Sequence, residues 1–197
     1  MLLGIVLIGM GISLFKLTLM GNDPSSAMVM AIGDTLHTAF APTLFAANCI
    51  WFVAEILWGR RYIGIGTFAN WFGVGTIASA FTKLWESLFT LSGDLLPRFG
   101  VLVIGMLVLG LACSLYQTAD AGVAPYDTLA LIIHDRLPKI PYFWCRIFLD
   151  SASALIAWLL GGIVGLGTLV CALGLGPFIS FFDVHVSRKL CGTADKS

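Results

Sequence analysis

Charge is what this chain has least of. Only 11% of its residues are Asp, Glu, Lys or Arg, against about 25% in ordinary soluble domains. The 11 basic and 11 acidic side chains cancel, so no basic field is available to attract nucleic acid. Histidine is scarcer: His37, His134 and His185 lie far apart and in no ligand spacing, so no metal site is expected. The cysteines, Cys49, Cys113, Cys145, Cys171 and Cys191, form no C-x-x-C pair and read as small core hydrophobes. No glycine-rich loop is followed by the lysine a phosphate site needs, and no nucleophile stands with a base at a recognisable spacing. Neither a cofactor nor an enzymatic role is expected. The first residues lack the charged start of a signal peptide, so Met1–Met20 is retained as a helix.

What is abundant is apolar. Hydrophobic residues make up 58% of the chain and mean hydropathy is +0.95, which predicts an integral membrane protein whose main partner is the lipid bilayer. Glycine, proline and charge punctuation divide the sequence into long helices near 1–20, 42–58, 64–82, 98–118, 142–160 and 163–182, and short ones near 24–38 and 125–137. About 14 residues rising 1.5 Å each give roughly 21 Å, against a hydrocarbon core of about 30 Å. The short helices are therefore expected to be re-entrant or interfacial.

The sequence matches itself at a shift of 101 without a gap. Gly4, Gly9, Ser13 and Leu14 fall on Gly105, Gly110, Ser114 and Leu115; Gly21 and Pro24 fall on Gly122 and Pro125. Gly64, Gly66, Thr67, Gly73 and Gly75 fall on Gly165, Gly167, Thr168, Gly174 and Gly176. The expected fold is all-α: a polytopic helical membrane protein with two homologous halves, each of three long helices plus one short one. Residues 1–85 form the first repeat, 86–97 a linker, 98–186 the second repeat and 187–197 a polar tail. Three crossings per half would invert the halves and put both termini with Arg60, Arg61, Arg136, Lys139, Arg188, Lys189 and Lys196. The positive-inside rule makes that face of the cell membrane cytoplasmic. Eight crossings would split the charges equally well, so helix length decides for six.

The second short segment reads Gly122-Val123-Ala124-Pro125-Tyr126-Asp127-Thr128-Leu129, with Gly165-Leu166-Gly167-Thr168 downstream. It resembles the repeat G-x-S-P-W-D-x-L, followed by G-x-G-T, of bacterial membrane proteins of the YczE/YyaS/YitT type. The first copy keeps Gly21 and Pro24 but has Ser25 and Ser26 at the aromatic and acidic positions. The resemblance spans nearly the whole chain and implies architecture more than chemistry.

Several residues are candidates for a ligand or ion cavity. Pro125 suits the first turn of a helix, and Asp127 there serves either as a cap or, in a broken helix at membrane depth, as a ligand group. Tyr126 would form a wall or an interfacial anchor. Glu55, an acid in an apolar helix, either pairs with Arg60 or carries protons or cations. Lys16 and Gln117, matched by the shift, set long polar side chains at one depth. Arg146 and Asp150, four apart, read as a structural ion pair. Gly64, Gly66, Gly73, Gly75, Gly165, Gly167, Gly174 and Gly176 read as helix-packing surfaces. A transporter of a small polar molecule or ion is the leading expectation. A scaffold or accessory subunit that binds a protein partner, or a homo-oligomer, is the alternative.

Overall fold

A computed structural model describes residues 1–88, 94–162 and 164–190 of the chain. Residues 89–93 of the expected linker, 191–197 of the expected tail, with Cys191, and position 163 lie outside the described residues. Among the described residues the fold is all-α, in eight helices: α1 (Leu2–Thr18), α2 (Pro24–Thr35), α3 (Phe40–Trp58), α4 (Ile65–Leu88), α5 (Leu95–Thr118), α6 (Pro125–Arg136), α7 (Tyr142–Leu159) and α8 (Leu166–Phe182). A 3-10 turn, Arg60–Tyr62, precedes α4; a π turn, Asp183–Ser187, and a last helical turn, Arg188–Leu190, extend α8.

Local chemistry accounts for the short helices. Asp23 caps α2, accepting from the Ser26 N–H at 3.1 Å, and Pro24 occupies the first turn, where its missing N–H costs nothing. Pro125 opens α6 in the same way, after an extended Ala124. Two expectations are corrected. Helix α4 continues to Leu88 and α5 begins at Leu95, so the linker is shorter than 86–97. Ser187, expected to open the polar tail, is fully buried and shares a 2.6 Å hydrogen bond with Ser114, because the helix runs on through the π turn. Among the described residues two helical stretches, Leu95–Thr118 and Leu166–Leu190, are long and apolar enough to cross a membrane, fewer than the six expected. Helices Leu2–Thr18 and Pro42–Trp58 are apolar but shorter, and α7 loses hydropathy to Arg146 and Asp150.

Close approaches give the helix directions. A Cβ on Gly4 would lie 2.8 Å from that of Tyr116, one on Gly11 3.1 Å from Leu109, and one on Gly105 3.2 Å from Leu14. As α1 rises, α5 therefore descends, and the pair is antiparallel. Helix α4 runs parallel to α1: Gly66 adjoins Met1, Gly9 adjoins Ile77, and Trp85 donates to Ser13 at 2.9 Å. Helix α8 runs parallel to α5, with Gly167 against Leu102, Gly110 against Phe178 and Ser187 against Ser114. The main core fills the space between α1, α5 and α8 with Ile8, Phe15, Leu102, Leu109, Tyr116 and Leu175.

Other contacts recur at the same 101-residue shift. Gly66 N–H donates to the Ala121 carbonyl at 2.7 Å, and Gly167 N–H donates to the Met20 carbonyl at 2.8 Å. Gly21 and Gly122 hold φ of +117° and +113°, a backbone that side-chain-bearing residues rarely adopt. One position breaks the correspondence. A Cβ on Gly176 would lie 2.7 Å from the Phe143 carbonyl, so α8 packs on α7; Gly75, its counterpart, has nothing within 4 Å.

Candidate functional site

The loop before α6 is held by the first half of the chain. Val123 N–H donates to the Tyr62 carbonyl at 2.9 Å, and Gly64 and Gly66 approach Ala121 and Gly122 backbone-to-backbone. The loop before α2 is held in turn by the second half, with Thr168 Oγ1 donating to the Asn22 carbonyl at 2.7 Å. Each extended loop leads to a helix start, and both starts line one cavity of about 770 Å³. Asp23, Pro24, Ser25 and Ser26 contribute from one, Ala124, Pro125, Tyr126 and Asp127 from the other. The cavity also touches Asn48 and Trp51 of α3, Asn70, Trp71 and Gly75 of α4, and Asp150 at the middle of α7.

A buried charge network forms one wall. Arg146 lies between two acids: its guanidinium pairs with Asp127 and donates through Nε to Asp150 at 2.9 Å. Asp127 also accepts from the Tyr116 hydroxyl. The Tyr126 hydroxyl donates to Asp150 at 2.7 Å and stands 3.1 Å from Ser153 Oγ. The Arg146 guanidinium carbon sits 5.3 Å from the Tyr126 ring centre, and Trp51 meets that ring edge-on at 5.1 Å. Asp150 is fully buried, and Arg146 and Asp127 are nearly so. One cation faces two anions among side chains that are themselves buried.

The structure separates residues that the sequence grouped. Lys16, Pro125, Tyr126 and Asp127 line the cavity; Glu55 and Gln117 do not. Glu55 is fully buried, and its Oε1 accepts from Thr128 at 2.9 Å while its Oε2 has no partner. Its expected partner Arg60 instead donates to the Ile56 carbonyl at 2.8 Å. Gln117 Nε2 is likewise buried without a partner. Helices α1 and α5 turn matched positions to the cavity, Ile8 and Ile12 with Leu109 and Cys113, but the match ends there: Lys16 continues the lining of α1 and Gln117 does not continue that of α5. The glycines divide too: Gly64, Gly66, Gly165 and Gly167 admit loop backbone, Gly174 and Gly176 meet Met106 and Phe143, Gly73 makes one ordinary contact, and Gly75 packs nothing. Among the described residues no group of three or more His, Cys, Asp or Glu side chains is set to hold a metal.

Asp23, Trp51, Trp71, Asn48 and Asn70 are cavity residues that the sequence did not single out. A polar Asn within an otherwise apolar helix was the available signal. At the surface, Arg61 pairs with Asp135 and Tyr62 Oη donates to Asp135 at 2.9 Å, tying the end of α6 to the turn before α4. Burial pushes the Tyr62 phenol up.

A family model covers residues 1–184, that of a family of unknown function (DUF6198). The chain belongs to the DUF6198 family. This DUF6198 chain is 26% identical over 190 residues to an uncharacterized protein of Haemophilus influenzae, covering 95% of this chain and 84% of that one. It is 26% identical over 125 residues to the uncharacterized membrane protein YczE of Bacillus subtilis, covering 64% and 56%. The uncharacterized protein YyaS of Bacillus subtilis is 25% identical over 193 residues, covering 94% and 92%. No solved structure matches the chain.

Proposed function

We propose that this DUF6198 chain is a polytopic membrane protein of two homologous, inverted halves that carries a small polar solute or ion across the bilayer. The observation that carries this reading is the convergence of both short-helix starts, one from each half, on a single cavity at mid-helix depth whose largely apolar walls carry Asp, Asn, Lys and Arg side chains. Transporters built from inverted repeats set their binding sites in that place, at the ends of broken helices, and here each start carries an acid, Asp23 before α2 and Asp127 in the first turn of α6.

The distribution of polarity supports a membrane setting. Phe45, Ile50, Phe72, Phe148, Leu155 and Leu173 are exposed, whereas Glu55, Asp150, Thr18, Thr67, Thr128 and Thr168 are fully buried. Lipid accepts the first group, and side chains facing the protein interior satisfy the second. Helix direction supports six crossings. Four crossings per half would make α1 parallel to α5 and antiparallel to α4, whereas α1 is antiparallel to α5 and parallel to α4. Helices α2 and α6, 12 residues each, then enter and return on one side. The N-terminus, Arg60, Arg61, Arg136, Lys139, Arg188 and Lys189 share one face in that arrangement, which the positive-inside rule assigns to the cytoplasm.

Accessibility tests the transport reading without a known solute. In a cysteine-free background, Asn48→Cys at the cavity wall would be challenged with a membrane-impermeant thiol reagent from each face of oriented vesicles. Modification from both faces is expected of a carrier that exposes its site alternately. Modification from one face alone would refute transport and fit a fixed scaffold.

A further inference from the structure

The transport reading leaves the class of solute open, and on that reading we infer that the cavity selects a small organic cation, a primary or quaternary ammonium, and rejects anions. Four carboxylates line it, Asp23, Asp34, Asp127 and Asp150, against two basic side chains, Lys16 and Arg146. Arg146 is held by Asp127 and Asp150 together, so the three side chains keep one negative charge among them; Asp23, engaged as the cap of α2, and Asp34 add two, Lys16 offsets one, and the two helix starts offset about half a charge each. A carboxylate solute entering there would meet the surplus of negative charge with no free guanidinium to receive it. An ammonium would meet the reverse.

The walls point the same way. Trp51 of α3 and Trp71 of α4 line the cavity with Tyr126 of α6, and the Trp51 and Tyr126 rings stand edge to face. Aromatic faces attract cations through the ring quadrupole, strongly where water is thin, and recognise ammonium groups whose hydrogens are replaced by methyls. The protein already shows the pairing internally, since the Arg146 guanidinium lies over the Tyr126 ring between two carboxylates. Asn48 and Asn70 offer neutral hydrogen-bond groups for the remainder of such a molecule. A volume of about 770 Å³ lies within the roughly 300–1,000 Å³ of small-molecule sites. A bare metal ion would use neither the aromatic walls nor most of that space.

The test uses the full chain in detergent or nanodiscs and three probes that share a phenyl ring and differ in charge: benzyltrimethylammonium, benzoate and benzyl alcohol. Binding is read by tryptophan fluorescence and thermal shift. Benzyltrimethylammonium is expected to bind at least about tenfold more tightly than either of the others, a difference of about 1.4 kcal/mol. Asp23→Asn keeps a capping side chain on α2 and removes one charge, and Trp71→Leu removes one wall. Each is expected to weaken cation binding several-fold while circular dichroism stays unchanged. Benzoate or benzyl alcohol binding as tightly as the cation would overturn the inference, as would a failure of all three probes to bind folded protein, or an affinity unmoved by both variants. Benzoate binding tighter than that of the cation, and strengthened further when Asp127→Asn releases Arg146, would overturn the cation class while leaving a solute cavity intact, so the two readings fail separately.

Discussion

Replacing Gly122 with alanine tests the way the short helices are installed. Gly122 sits at φ +113°, and a Cβ there would lie 2.7 Å from Gly64 N and 2.8 Å from Gly64 Cα and Thr67 N, all backbone atoms. Neither problem has a cheap escape. A residue with a side chain held in a sparsely populated backbone region costs about 1–3 kcal/mol, and forcing atoms into a packed site costs about 1–3 kcal/mol more. The expected loss is roughly 2–6 kcal/mol, which for a chain of this size lowers the melting temperature by on the order of 5–20 °C. Gly75→Ala is the control, since no atom lies within 4 Å of its Cβ position, and alanine gains up to about 1 kcal/mol of helix propensity. The assay is thermal unfolding in detergent, followed by the monodisperse fraction remaining on size exclusion. Equal melting temperatures for the two variants would refute the claim that the Gly122 loop is clamped by Gly64 and Thr67.

Four further outcomes follow from the geometry. Arg146→Gln leaves Asp127 and Asp150 facing each other without their cation and is expected to lose about 3–5 kcal/mol; wild-type unfolding in that variant would show that the pair is not buried as described. Glu55→Gln keeps an acceptor for Thr128 and removes a buried carboxylate whose Oε2 has no partner, so stability should stay within about 1 kcal/mol or rise; a large loss would mean that the carboxylate has a counter-charge. Asp135→Asn disturbs a surface pair in which Arg61 is 65% exposed and should cost less than about 1 kcal/mol, which chemical unfolding would contradict if the loss were several-fold larger. Single cysteines at Leu19 and Thr38, either side of α2, are expected to react with an impermeant reagent from the same face of the membrane; opposite faces would sink the six-crossing topology.

Much of the fold was legible because helices in an apolar chain are written locally. Pro24 and Pro125 open short helices where a proline ring fits a first turn, and the expected ends of most helices fell within a few residues of those observed. The site was less legible. Asp127 stood out through its motif, but its partners Tyr116, Arg146 and Asp150 come from α5 and α7. Spacing along one helix said only that Arg146 and Asp150 could meet each other. Nothing in the spacing said that Asp127 would make a third, since that depends on how α6 is tilted into the bundle.

The sequence by itself determined the apolar class, the 101-residue register and the glycines at 21, 64, 122 and 165, since composition and repetition survive without coordinates. Tertiary structure alone decided what those features do. It turned Gly64 and Gly66, with Gly165 and Gly167, from helix-packing surfaces into openings for the opposite loop, because a residue's neighbours across a bundle are set by helix rotation and not by order along the chain. It also let Lys16 reach the cavity and left Gln117, its counterpart, outside, although Ile8 and Ile12 and their counterparts Leu109 and Cys113 all line it. The inequality of the halves was decided there as well: α8 closes on α7 at Gly176, α4 stands away at Gly75, and the cavity occupies the difference.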